Sequence, residues 1–380
     1  MRRRKRDLRL LYCRMKTKNH SSLTDRILTD AGVEVDHSPV TIGLDLGDKK
    51  HFYCALDSGG KVLKKETISN DREVLKQFSA TWAGALIVME AGTHSPWISR
   101  FFMGLGHRVI VANPRKMKAI STAERKSDER DAELLARIAR VDEALLHPVE
   151  HGDEKRHRDM LAIKLRDALV RSRVGLINAV RFTLKSMGYA VSNPSSERFH
   201  KILAEEVPEE CLKVIRPMVG VLERMTQEIR EMEREIVRLG KECYPEAEKL
   251  RQITGVGPIT SLYFVLKIGD VKRFGHTRDI GAYLGLTPRR DQSGGTDKQL
   301  GITKCGDAYL RCLLVNAAQH IMGPFGPPGA LREYGERLRG TTSREKKRAV
   351  VAVARKLAVL MISLWKSGNE YEPRATQVAA

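Results

Sequence analysis

The sequence predicts an α/β-plus-α protein: an α/β domain, then a helical coiled-coil arm, then a mostly helical C-terminal domain. Three observations carry that prediction. Short apolar runs separated by turn residues alternate with helical patterns from Val40 to Val141. A strict seam of apolar residues at spacings of three and four runs from Leu222 to Leu239. From residue 249 onward, glycine-punctuated helical segments surround a long polar stretch.

Residues 1–36 read as a basic disordered tail. Met1-Arg-Arg-Arg-Lys-Arg6 has no apolar segment of signal-peptide type behind it, and it fits an extension upstream of a start at Met15. Residues 37–150 form the first domain. Thr41–Leu46, His51–Leu56 and Val62–Ile68 are three strands, and the turns Gly47-Asp-Lys-Lys50 and Asp57-Ser-Gly-Gly60 make them antiparallel. A helix over Arg72–Trp82, a strand ending at Glu90, a helix over Ser95–Leu105, a strand over Arg108–Ala112 and helices from Pro114 through Val141 complete it. Three antiparallel strands followed by alternating helix and strand is the order of the ribonuclease-H-like fold.

Residues 151–248 form the arm. Its seam is Leu222, Met225, Ile229, Met232, Ile236 and Leu239, flanked by Glu228, Arg230, Glu231, Glu233 and Arg234. It can fold onto the upstream helix Met160–Met187 as an antiparallel hairpin, or protrude for self-association. The strict seam and charged flanks favour self-association.

Residues 249–370 form the C-terminal domain, followed by a short tail, 371–380. Ile253–Ser261 reads as the hairpin of a helix-hairpin-helix, in which Gly255 and Gly257 let backbone N–H groups approach a phosphate. A short helix over Thr277–Leu284 leads into an irregular polar loop, Gly285–Arg311, carrying Arg289, Arg290, Lys298, Lys304 and Arg311 as candidate phosphate contacts. Asp307–Met322 and Arg344–Trp365 are the closing helices.

The chain has 67 Lys+Arg against 47 Asp+Glu, a formal charge of +20 over 380 residues. An excess spread along the chain favours a polyanion partner, above all nucleic acid. The six cysteines lack metal-ligand or disulfide spacing and read as packing residues of a protein in a reducing, cytoplasmic compartment. No apolar run reaches the roughly 18 residues of a membrane span, and Ala349–Trp365, interrupted by Arg355-Lys356, is a core or interface helix.

Four acidic residues are the first chemical candidates. Asp45 lies between Leu44 and Leu46 in the first strand, and Glu90 ends Ala85-Leu-Ile-Val-Met-Glu90. Asp128 and Asp131 open a strongly helical stretch, and their spacing puts them on one helix face. A carboxylate in a buried strand is costly without a cationic partner, and Mg²⁺, with Mn²⁺ as a substitute, suits a set of hard oxygen ligands. Each residue also has a bland role open to it: Asp128 as helix N-cap, Asp131 as a complement to the helix dipole, Glu90 as a solvated strand end. Ser293, followed by two glycines in a cation-rich segment, is a candidate nucleophile. A solvated turn serine is the ordinary reading of such a residue on composition alone.

Several segments occur together in one order: Gly43-Leu-Asp45, Met89-Glu90-Ala91, Lys126-Ser-Asp128-Glu-Arg-Asp131-Ala132, Thr254-Gly-Val-Gly-Pro258, Tyr283-Leu-Gly-Leu-Thr-Pro288, Ser293-Gly-Gly295 and Gly301-Ile-Thr-Lys304. In that combination, over about residues 38–366, the chain resembles the IS110 family of transposases (the IS110/IS1111/IS116/IS902 group). Ser127 stands where the pattern leads one to expect Thr, and the basic N-terminal extension is unusual for it.

The resemblance implies a RuvC-like Asp-Glu-Asp-Asp domain joined by a coiled coil to a domain with a catalytic serine. Asp45, Glu90, Asp128 and Asp131 would then be ligands of a two-Mg²⁺ site and Ser293 the nucleophile. It also implies a homo-oligomer, a dimer or tetramer with active sites shared between subunits. Its partners would be double-stranded DNA, as element ends and target, and a non-coding guide RNA, in the cytoplasm of a prokaryote at the nucleoid. Two other functions stay open: a metal-dependent nuclease acting by hydrolysis with Ser293 only structural, and a non-catalytic nucleic-acid-binding regulator.

Overall fold

The computed structural model describes residues 40–117, 127–293 and 295–372. The expected basic tail, most of the C-terminal tail and the part of the Pro114–Val141 helical stretch over 118–126 lie outside the described residues. By its contacts the chain divides after His151 into two compact units.

The first unit is built on a five-stranded sheet of order β3-β2-β1-β4-β5. The strands are β1 (Thr41–Asp45), β2 (Lys50–Leu56), β3 (Val62–Ser69), β4 (Leu86–Glu90) and β5 (Arg108–Ala112). β1, β2 and β3 pair antiparallel through their short turns, whereas β4 and β5 add in parallel after helical crossovers. This mixed sheet is consistent with a ribonuclease-H-like domain.

Two helices cover one face. Helix α1 (Arg72–Thr81) starts where the Asp71 carboxylate accepts the N–H groups of Glu73 and Val74, and α2 (Ser95–Gly104) starts with a proline in its first turn. Leu75 and Phe78 of α1 and Ile98 and Phe102 of α2 pack on Ile42, Tyr53, Ile87 and Met89 of the sheet. The other face carries α3 (Asp128–Val141), whose Leu135, Ile138 and Ala139 pack on Leu86, Val88 and Ile110. Its Ala132 and Ala136 meet Cys54 and Leu56.

Small residues let α3 lie unusually close to β1. A Cβ on Gly43 would sit 1.9 Å from the Ala132 carbonyl oxygen and 2.8 Å from the Ala136 nitrogen. Both are backbone atoms, so no rotamer change relieves the clash. Gly43→Ala is therefore expected to destabilise the first unit by about 3 kcal/mol, at the upper end of core overpacking. The check is a urea unfolding midpoint beside that of Gly104→Ala, a site with nothing within 4 Å of the added Cβ.

In the second unit, α4 (Glu154–Ser186) and α6 (Glu209–Cys243) form an antiparallel hairpin closed at one end by α5 (Phe199–Glu206). Arg166 Nε donates to Glu233 at 3.0 Å and Arg173 Nη1 to the Thr226 hydroxyl at 3.1 Å, which fixes the antiparallel register. Leu222, Ile229, Ile236 and Leu239 are buried, as the seam requires. What fills the seam differs from expectation: α4 of the same chain lies along it. A period of three and four identifies the apolar face of a helix, but not whether its partner is local. The seam therefore supplies no argument for self-association.

Beyond the arm come α7 (Pro245–Leu250), α8 (Pro258–Ile268), α9 (Asp279–Tyr283), strands β6 (Pro288–Ser293) and β7 (Thr296–Ile302), and helices α10 (Ala308–Met322), α11 (Ala330–Leu338) and α12 (Ser343–Ser367). Leu262, Phe264 and Leu266 of α8 are the centre of a core that takes in Leu310 and Leu314, Val353, Leu357 and Met361, and the arm residues Ile163 and Ile236. Helix α12 is thus the core helix its apolar pattern predicts, started by a capping box between Thr342 and Glu345. Among the described residues no helix is long and apolar enough to cross a membrane. Cys54 is buried, but Cys243 and Cys312 are exposed rather than packed.

One expectation fails plainly here. Gly285–Arg311 is not an irregular loop, because β6 and β7 pair antiparallel within it. Most of the described residues in its strands are exposed and polar, so they lack the apolar alternation by which strands are recognised in sequence.

Candidate catalytic site

The placement of the four carboxylates follows from strand parity and helix direction. Gly43 faces α3, since its missing Cβ would strike Ala132. Asp45 is two residues on and so lies on the same face of the sheet, at the C-terminal end of β1. Val88 packs against α3, and Glu90, two residues on, shares that face at the C-terminal end of β4. β1 and β4 are adjacent and parallel, with Leu44 opposite Met89. Asp45 and Glu90 therefore end neighbouring strands side by side.

Helix α3 runs the opposite way. Arg137 donates to the Gly60 carbonyl at 3.4 Å and Arg140 to that of Ser58, both in the turn beyond Leu56, which pairs with Thr41 at the start of β1. The N-terminus of α3 is thus at the edge where β1 and β4 end. Asp128 lies four residues before buried Ala132, and Asp131 four before buried Leu135, so both continue the sheet-facing stripe by one turn. The N-cap of α3 is Ser127, whose hydroxyl accepts the Arg130 N–H at 3.4 Å, so capping is not the role of Asp128. Glu129 and Glu133 are engaged elsewhere, holding the Lys65 ammonium at 2.9 and 2.7 Å. Glu133, then Glu129, raises the Lys65 pKa above its ordinary value, and Lys65 in turn holds Glu133 below the usual carboxylate range.

Four carboxylates on one edge are a hard-oxygen donor set that suits Mg²⁺ in kind. Among the described residues no three His, Cys, Asp or Glu side chains already converge as a metal-holding group. The fit rests on backbone placement and donor chemistry. Around the same edge, the His94 Nε2 lies 2.9 Å from Asp48 Oδ1, and Trp97 Nε1 donates to His94 Nδ1 at 3.2 Å.

Ser293 ends β6 opposite Thr296, leaving Gly294-Gly295 as a two-residue connection. Asp291 and Lys298 face each other further down the ladder. Arg290 is paired with Asp297 at 3.3 Å, and Arg289 and Lys298 are exposed.

The base of this hairpin is tightly built. Thr303 N–H donates to the Thr287 carbonyl at 2.9 Å and Lys304 N–H to that of Gly285 at 3.1 Å. Gly285 has φ +66, and a Cβ there would meet the Cys305 nitrogen at 2.2 Å. Lys304 itself adopts a left-handed φ of 55, a costly conformation for a residue with a side chain. Arg311 donates to the carbonyls of Leu284, at 3.2 Å, and Cys305. That engages in the protein a guanidinium expected to meet phosphate. Gly255, at φ +84, turns the chain between α7 and α8 against the Ala317 carbonyl of α10, and Gly257 precedes the first turn of α8.

A family model described as Transposase, of the DEDD IS110 type, matches residues 42–188. A second, described as Transposase IS116/IS110/IS902 family, matches residues 247–334. The chain is 32% identical over 329 residues to the transposase for insertion sequence element IS1328 of Yersinia enterocolitica, covering 83% of this chain and 94% of that protein. This chain belongs to the IS110 family of insertion-sequence transposases. Another relative, the transposase for insertion sequence element IS1111A of Coxiella burnetii, is 28% identical, with 74% of this chain and 77% of that protein covered. A pilin gene-inverting protein of Moraxella bovis is 24% identical over 76% of this chain and 82% of its own length.

As an IS110-family transposase the chain is a DNA-cleaving and recombining enzyme. Its structure brings Asp45, Glu90, Asp128 and Asp131 to one edge of the first unit and sets Ser293 at the tip of a hairpin in the second. Sequence reasoning passed over Asp48, His94 and Trp97. The signal that could have found them was position, since Asp48 follows Asp45, and His94 follows Glu90, within one short loop each.

Proposed function

We propose that this transposase cuts and rejoins DNA through a phosphoserine intermediate, with Mg²⁺ held by Asp45, Glu90, Asp128 and Asp131. What supports the reading is that Asp45 and Glu90 end the adjacent parallel strands β1 and β4, while Asp128 and Asp131 lie in the first turn of α3, whose N-terminus is at the same edge. Bound there, Mg²⁺ would supply Lewis-acid stabilisation of the attacking and leaving phosphoryl oxygens.

The Ser293 oxygen attacks a backbone phosphorus, a P–O bond to one strand breaks, and the released strand hydroxyl takes up the proton. The new phosphoserine ester keeps the bond energy of the phosphodiester, so a hydroxyl from another strand can reverse the step without an external energy source. Arg289 and Lys298 are exposed on the same hairpin and suited to holding the flanking phosphates. The formal charge of +20 supports nucleic acid as partner, and the reading includes a guide RNA, a homo-oligomeric state and action in the cytoplasm.

The test uses the full chain with DNA spanning an element end. Cleavage is expected with Mg²⁺ or Mn²⁺ and none with EDTA, while DNA retention on a gel persists in EDTA. Equal cleavage in EDTA would contradict the metal site.

A further inference from the structure

We infer that His94 is a positioning residue, clasping the end of β4 to the end of β1 so that Asp45 and Glu90 keep a fixed separation. This rests on the carboxylate-site reading above. The backbone ladder between the two strands is paired from Thr41–Leu86 to Leu44–Met89 and does not include the carboxylate pair itself. Beyond that point, the His94–Asp48 pair at 2.9 Å joins the two loops. Asp48 lies three residues after Asp45 and His94 four after Glu90, so the clasp sits directly behind both.

The imidazole is fixed at both nitrogens. Trp97 Nε1–H donates to Nδ1 at 3.2 Å, so in the neutral ring the proton is on Nε2 and points to Asp48. Each side of the clasp is itself anchored. Asn70 Nδ2 donates to the Asp48 carbonyl at 2.9 Å, and Asn70 Oδ1 is 3.0 Å from His51 Nε2. The Arg72 guanidinium stacks 5.7 Å from the Trp97 ring centroid. Buried Ser95 accepts the Gly92 N–H at 3.0 Å and donates to the Gly92 carbonyl at 2.9 Å, closing the loop that carries His94.

The Asp48 side chain is 93% exposed, and a pair so exposed adds little to folding stability. A role in geometry and a role in stability can therefore be told apart. The experiment measures Mn²⁺ binding to the full chain by electron paramagnetic resonance, with melting temperature alongside. Asp45→Asn should remove the tight Mn²⁺ site. His94→Ala and Asp48→Ala should each weaken it about tenfold, the scale of lost support around a metal ligand, with melting unchanged. His94→Gln, whose amide N–H can reach Asp48, should recover most of the affinity.

Wild-type Mn²⁺ affinity in both His94→Ala and Asp48→Ala, with the site lost in Asp45→Asn, would overturn the clasp alone. Weakening that tracks a lowered melting temperature and is not recovered by His94→Gln would also overturn it, making the pair structural. Unchanged binding in Asp45→Asn would overturn the carboxylate site and the clasp together. Should His94→Ala fail to fold, the exposed Asp48→Ala still decides the matter.

Discussion

Ser293→Ala is expected to lower DNA strand cleavage by at least about a thousandfold, the scale of removing a nucleophile from a covalent mechanism. The substitution deletes one hydroxyl at the end of a two-stranded hairpin whose base is held independently by the Thr303 and Lys304 N–H groups and by Arg311. Folding and DNA retention should therefore be those of the wild type. The measurement is single-turnover cleavage of element-end DNA at saturating protein, paired with a gel-shift titration. A hydrolytic nuclease would behave differently, with near-normal cleavage in the variant, because water rather than Ser293 would attack.

Asp45→Asn should abolish cleavage to a similar degree. Losing a metal-held carboxylate forfeits several kcal/mol of transition-state stabilisation, and each 1.4 kcal/mol or so is a factor of ten. Asparagine is nearly isosteric, and the strand it occupies is fixed by pairing on both sides, so the fold should persist. DNA affinity should stay equal or rise slightly, since a negative charge is removed. Glu129→Gln is the matched control: it lies within one turn of Asp128 but faces Lys65, and should cleave normally. Equal loss in Glu129→Gln and Asp45→Asn would mean that general acidity at the edge, rather than a defined ligand set, is what matters.

The first domain was legible because its strands and helices are marked by apolar period and by turns. Those marks also put Glu90 at a strand end and Asp45 inside the first strand, which in fact ends at Asp45. Sequence did not show the close approach of α3 to Gly43, which depends on two alanines some 90 residues away in the chain. Nor did it show that Ser127 takes the N-cap and so leaves Asp128 to another role. In the second unit, periodicity identified the buried face of α6 but not its partner, because local and intermolecular partners demand the same pattern. The β6–β7 hairpin reads as loop in sequence because its strands are mostly polar and exposed, and backbone pairing leaves no mark on side-chain pattern. Arg311 shows a further limit: a cation near a polar segment looks like a phosphate contact until its carbonyl partners are located.

A DNA strand that passes through a covalent bond to Ser293 must stay on the protein when the protein is unfolded. The decisive experiment expresses the full chain beside its native flanking DNA, denatures the lysate, and asks whether DNA remains attached. Wild type should yield an adduct that survives denaturation and maps by mass spectrometry to the peptide containing Ser293, and both Ser293→Ala and Asp45→Ala should lack it. Cleaved DNA with no adduct in the wild type, or an adduct that persists in Ser293→Ala, would rule the phosphoserine mechanism out.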